Sequence, residues 1–267
     1  MKSKQYQAIL ADLDGTVNRG SALIPGADAA YSTLTARGLR WVFVSNAATR
    51  LATDLARKIN GLGIPVPERQ VVNSASALIR RLERNYPAAK VMVVGEPRLS
   101  EGLRQAGITL SDDPSETDIV TAALDTGFNF DKLSRAHRAI VNGALFWATN
   151  LDATFPTPDG FLPGAGSIVA AIATAVGRPP DYVFGKPSPD MAELALEILN
   201  LSAESCLVIG DRMETDILFA KNAGMDSALV LTGASSAEDV GNYSFSPDYI
   251  LESLFEVVSL FDSLHSD

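Results

Sequence analysis

Cysteine and histidine are nearly absent from this chain, with one and two copies respectively in 267 residues. A single thiol, Cys206, excludes an internal disulfide, and its place in the strand-like run SCLVIG marks it as a core residue. Runs of lysine or arginine are missing, and the net charge is -10, so a nucleic-acid polymer is not expected as a partner. Long apolar stretches are missing as well. The opening MKSKQYQAILADLDG meets two aspartates before it could act as a signal peptide, and no segment reaches membrane-spanning length. A cytoplasmic protein without a membrane partner is the expectation. Acidity does not exclude small anionic ligands, because a metal ion and a lysine can reverse the field locally.

Hydrophobic residues make up 46% and charged residues 20%, the usage of a chain that buries a substantial core. Short β-branched runs alternate with helical patterns: AILADL, a helix from Ala27 to Arg37, WVFVS, then a helix from Thr49 to Leu62. Apolar runs without polar alternation suit parallel strands covered on both faces. The grammar returns with YVFG, a helix from Ser188 to Leu199, CLVIGD, a helix from Glu214 to Asn222, and SALVLTG. The fold class read from this pattern is α/β, a doubly wound, Rossmann-like parallel sheet with an inserted smaller α/β domain. Residues 1–73 and 183–267 are assigned to the core and 74–182 to the insertion, which has its own alternation through VMVVG, DIVTAAL and LFWATN.

Asp12 and Asp14 stand at the end of the first strand, before Gly15, where the chain can turn sharply. Three other apolar runs end in polar residues: WVFVS on Ser45-Asn46, YVFG on Lys186, and CLVIG on Asp211. Ligands of open parallel sheets gather outside the carboxyl ends of strands, so these groups are expected to converge on one crevice. Carboxylates crowded together need a cation, and hard oxygen donors with no histidine or thiol nearby select magnesium. A hydroxyl and an ammonium add donors for a phosphoryl group, and two aspartates permit a nucleophile beside a general acid and base. The set points to phosphoryl transfer.

With those residues in view, the chain resembles the haloacid dehalogenase superfamily, whose four motifs match as DLDGT, Ser45-Asn46, Lys186 in GKPSP, and GDRMETD. The stretches ATNLDATFP, DGFLPGAGSIVAAI and GKPSPDMAELAL are similar to the NagD-like phosphatases (class IIA) over nearly the whole chain. The resemblance implies a magnesium-dependent phosphatase of small phosphorylated metabolites: sugar phosphates, polyol phosphates or nucleotides. It implies Asp12 as nucleophile and metal ligand, Asp14 as general acid/base and ligand through its carbonyl, and Asp211 as the third ligand. Ser45, the Asn46 amide and Lys186 would hold the phosphoryl group, with Asp216 supporting the metal waters or Lys186. Only NRGSALIPG separates the first motif from the next helix, so the cap would be the insertion after Ser45, which by the resemblance roofs the site, selects the leaving group and supports dimers. Asn150 and Asp152 would face substrate from it. Ala47 stands where the family commonly has a second asparagine.

Two rivals use the same fold, and the first shares all four motifs. A phosphomutase-type phosphotransferase would carry its cap after the first motif, and a catalytically silent binding protein would have lost one of Asp12, Asp14, Lys186 or Asp211. His137 reads as an ordinary helix residue. Gly164-Ala165-Gly166 lacks the preceding strand and third glycine of a dinucleotide fingerprint, and is expected instead to open a helix whose amides favour an anion.

Overall fold

The computed structural model describes residues 5–157 and 160–264; the first residues of the opening stretch and Pro158-Asp159 of the PTPDG turn lie outside the described residues. Its strands in chain order are β1 (Ala8–Asp12), β2 (Asn18–Arg19), β3 (Ala22–Leu23), β4 (Arg40–Ser45), β5 (Val71–Asn73), β6 (Lys90–Val94), β7 (Thr109–Leu110) and β8 (Ile119–Ala122). Then come β9 (Leu145–Ala148), β10 (Thr154–Thr157), β11 (Gly160–Pro163), β12 (Tyr182–Val183), β13 (Cys206–Gly210), β14 (Asp226–Val230) and β15 (Tyr249–Leu251). The α-helices are α1 (Ala27–Ala36), α2 (Ala52–Gly61), α3 (Ser74–Asn85), α4 (Pro97–Gln105), α5 (Phe130–Val141), α6 (Ala165–Val176), α7 (Asp190–Leu199), α8 (Leu218–Asn222) and α9 (Val257–Leu264). None of them is long and apolar enough to cross a membrane.

The chain forms two compact units: Met1–Ser45, Thr53–Val72 and Lys186–Asp267 in the first, Asn46–Ala52 and Asn73–Gly185 in the second. In the first, a six-stranded sheet has the order β15-β14-β13-β1-β4-β5. β1 pairs in parallel with both β4 and β13, and β13 is followed in parallel by β14 and then β15. All residues of β1 and β13 are buried, which is why their sequences show no polar alternation. The chain grows to one side of β1 through β4 and β5 and to the other through β13, so β1 lies at the switch in strand order where ligands collect. Between β1 and α1 there is room only for the β2–β3 hairpin.

The first unit's core includes an aromatic cluster. Trp41 and Phe43 of β4 lie 5.9 Å apart and nearly parallel, with Tyr31 of α1 5.5 Å from Trp41. The second unit has a five-stranded parallel sheet ordered β12-β9-β8-β6-β7, packed with α5 and α6 around Val120, Phe146, Ile172 and their neighbours. Its helices α3 and α5 start where Asn73 and Asn129 accept backbone N–H bonds from Ser76 and Lys132.

One assignment is corrected. YVFG was expected to be a core strand ending on Lys186. Only Tyr182–Val183 is extended, and it pairs with β9 at the edge of the second sheet. The cause is aromatic packing: Phe184 and Tyr86 both meet Trp147 edge-on, at 5.3 and 5.1 Å, and the Arg81 guanidinium covers Tyr182 at 4.3 Å. Lys186 is thus the first residue of the chain's return to the first unit, which begins there rather than at 183.

Phe43→Ala removes a fully buried ring and is expected to cost about 3–5 kcal/mol. Urea unfolding followed by tryptophan fluorescence measures it.

Candidate active site

Asp12 is the last residue of β1, and its neighbour in register across the sheet is Val44, so Ser45 ends β4 at the same edge. On the other side Ala11 pairs with Ile209, which brings Asp211, just past the end of β13, to that edge as well. After Asp211 the chain makes a π turn at Met213–Ile217 before α8, with the Ile217 N–H on the Arg212 carbonyl. Such turns re-aim side chains at functional sites. Here the buried Asp216 carboxylate turns inward, accepting from the Arg212 N–H at 3.1 Å.

Asp12, Asp211 and Asp216 each offer an oxygen within 4.8 Å of the others, and all three are buried. Lys186, only 4% exposed, donates to Asp12 and, at 2.6 Å, to Asp216. Burial pushes the Asp12 carboxyl well above the usual range, and Asp216 and Asp211 add to the rise while Lys186 opposes it. Burial and the charge of Asp216 lift Asp211 to about 6. Burial alone would lower the Lys186 pKa, but Asp12 and Asp216 overcome it and hold the ammonium protonated. Were all three carboxylates ionised, they would outnumber the one buried ammonium by two. A divalent cation with a preference for oxygen fits that deficit and that donor set.

The Asp14 carboxylate does not join the trio. It accepts from Asn18 Nδ2 at 2.6 Å and pairs with Lys58 at 3.2 Å, remaining 43% exposed. Asn18 and Lys58 had not been read as site residues; the i+4 asparagine after Asp14 was the available signal.

A second omission is the Thr232–Ser235 loop beyond β14, the next parallel strand to end at this edge. Ala234 N–H donates to Asp211 Oδ2 at 2.7 Å, Ser235 N–H to the Asp211 carbonyl at 3.0 Å, and Thr232 Oγ1 to the Gly15 carbonyl at 2.6 Å. A methyl group on Gly15 or Gly233 would overlap the Asp211 carboxylate, and Gly15 also has φ +102°, which disfavours side chains. Asp211 therefore sits in a slot between two glycines. TG after an apolar run was the signal.

Asn46 follows Ser45 in the chain but clusters with the second unit. Its Nδ2 donates to both carboxylate oxygens of Asp152 at 3.2 Å, and its carbonyl accepts from Asn150 Nδ2 at 2.6 Å. Asn150 and Asp152 thus brace Asn46. The start of α6 differs from expectation: the N–H groups of Gly164 and Gly166 are taken by the carbonyls of Ala153 and Asp152, because the glycines let that loop pack against the helix end. His137 lies on α5, in the second unit.

Two family models match: haloacid dehalogenase-like hydrolase over residues 9–109, and HAD-hydrolase-like over residues 183–257. The sugar-phosphatase AraL of Bacillus subtilis is 40% identical over 252 residues, 94% of this chain and 92% of that protein. NagD from Escherichia coli K-12 superposes with a TM-score of 0.86 at 33% identity, over 94% of this chain and 98% of its own. A glycerol phosphate phosphatase of Mycobacterium tuberculosis, Rv1692, solved in complex with magnesium, gives a TM-score of 0.87 at 36% identity, covering 99% of this chain and 78% of that one.

Two outcomes follow from the crowded carboxylates and the slot. Burial and the charge of Asp216 push the folded Asp211 carboxyl up to about 6, against roughly 3.9 unfolded. The folded, metal-free chain then binds more protons between those values, so this group's contribution to stability falls as pH rises through that window. In EDTA, Asp211→Asn should be more stable than the parent at pH 7 by up to about 2 kcal/mol, with the gap closing by roughly pH 4. Thermal melts at both pH values check this, and magnesium should raise the melting temperature of the parent at pH 7 but not that of the variant. Gly233→Ala should weaken magnesium binding, measured by calorimetry, while Gly241→Ala, a glycine with open space around it, leaves it unchanged.

Proposed function

The chain belongs to the haloacid dehalogenase-like hydrolases and, among them, to the NagD-like phosphatases, and from that premise we propose that it is a magnesium-dependent phosphomonoesterase acting on small sugar or polyol phosphates through Asp12. The observation that carries this reading is the contact of Lys186 with Asp12 inside a cluster of three buried carboxylates. The sugar phosphates enter from AraL, and glycerol phosphate and magnesium from the Mycobacterium tuberculosis phosphatase.

An Asp12 carboxylate oxygen attacks phosphorus, and the bond from phosphorus to the ester oxygen breaks. Asp14 gives a proton to that leaving oxygen. A water molecule then attacks the phosphorus of the aspartyl-phosphate, giving its proton to Asp14, and phosphate departs with Asp12 restored. Lys186, the Ser45 hydroxyl and the Asn46 N–H hold the phosphoryl oxygens. Asp12 and Asp211, with the Asp14 carbonyl, would hold magnesium, and Asp216 orients Lys186. Bound there, the ion supplies charge neutralisation for the carboxylates and the transferring group. Asp12, Asp14, Lys186 and Asp211 are all present, which supports an active enzyme over a silent relative.

Asp12→Asn should abolish magnesium-dependent hydrolysis of 4-nitrophenyl phosphate; full activity would sink the mechanism. Asp14→Asn should keep partial activity on that ester, whose leaving group needs no proton. On glycerol phosphate the same variant should lose roughly 10²- to 10⁴-fold in kcat, measured by phosphate release.

A further inference from the structure

The geometry points to Asn73 as a positioning residue for the phosphate-binding loop, an inference that rests on the phosphatase reading above. Residues 46–51 have no regular secondary structure, so their carbonyls must find donors outside a helix or sheet. Asn73, fully buried at the junction of β5 and α3, supplies two: its Nδ2 donates to the Ala47 carbonyl at 2.8 Å and to the Arg50 carbonyl at 2.7 Å. Its Oδ1 accepts from the Ser76 N–H at 2.9 Å and the Ser76 hydroxyl at 2.8 Å. A primary amide has two donors and two acceptor sites, and all four are used. The side chain is therefore both the cap of α3 and a clamp on the loop. Ser74 extends the clamp, its hydroxyl donating at 2.8 Å to the Asn46 carbonyl, which Asn150 also holds.

The consequence concerns the Asn46 N–H. That group lies in the peptide joining Ser45 to Asn46 and is useful to a phosphoryl oxygen only while the chain leaving β4 keeps one course, which the ties on the Asn46, Ala47 and Arg50 carbonyls hold. Ala47 has no polar side-chain atom with which to tie its own loop. The tie comes instead from Asn73, some 26 residues further along the chain. Asn73 touches no reacting atom; it acts through the loop.

Helix capping and loop clamping separate by substitution. Asn73→Asp and Asn73→Ser keep an oxygen able to cap α3 and remove the pair of N–H donors. Ser76→Ala perturbs the cap without touching the loop. The measurements are the melting temperature, kcat and KM for 4-nitrophenyl phosphate, and the inhibition constant of inorganic phosphate, all with saturating magnesium. Both Asn73 variants should melt below the parent, the aspartate variant further below because its buried carboxylate would face the Ala47 and Arg50 carbonyls, and activity is compared at a temperature where each is folded. Their kcat/KM should fall about 10- to 100-fold, through KM as well as kcat, with the inhibition constant of phosphate rising in step, and Ser76→Ala should match the parent in activity. If the aspartate variant does not fold, the serine variant carries the test. Folded Asn73 variants with the parent's phosphate affinity overturn the inference, as does an equal loss in Ser76→Ala. A parent that neither hydrolyses the ester nor binds phosphate overturns the phosphatase reading and this inference together, whereas an active parent matched by its Asn73 variants overturns this inference alone.

Discussion

Mutual repulsion among Asp12, Asp211 and Asp216 is the constraint around which the first unit is arranged. Three carboxylates taken out of water and brought this close resist ionising together, and only surrounding structure can hold them there. Several elements share that task. Lys186 bridges two of the three, the π turn after Arg212 aims Asp216 inward, and the N–H of Ala234 ties down Asp211. Each support is a donor or a cation, and with all three carboxylates ionised a divalent cation would make up the remaining charge.

The strand ends were legible because a fully buried parallel strand leaves an unmistakable trace. AILAD and CLVIG are buried throughout, Asp12 ending the one and Asp211 following the other, so the sequence pattern puts both aspartates at strand ends. YVFG has the same appearance and was assigned to the wrong sheet. An apolar run reports burial but not the neighbour it pairs with, and here the neighbour was decided by Trp147, a residue distant in sequence. Lys186 nonetheless meets Asp12 and Asp216, although the strand expected to carry it belongs to the other sheet.

Contributions made by the backbone left a fainter trace. The Thr232–Ser235 loop acts on Asp211 through N–H groups that any residue possesses, and Gly15 and Gly233 act by lacking a side chain. Asn73 resembles an ordinary helix cap in sequence, and that role is real; its second pair of bonds became visible only when Ala47 and Arg50 were located. Asp14 is expected from the sequence as general acid/base beside Asp12, whereas its carboxylate stands apart from the trio, on Asn18 and Lys58, partners that depend on the local turn and on the placing of α2.

The assignment of Asn46–Ala52 to the second unit has a consequence for recombination between relatives. A chimera that exchanges only the long segment Asn73–Gly185 would give the short segment a foreign set of hydrogen-bond partners in place of Asn73, Ser74, Asn150 and Asp152. The heritable block of the second unit is thus discontinuous in the gene, and the short piece and the long one must be inherited together for either to keep its shape.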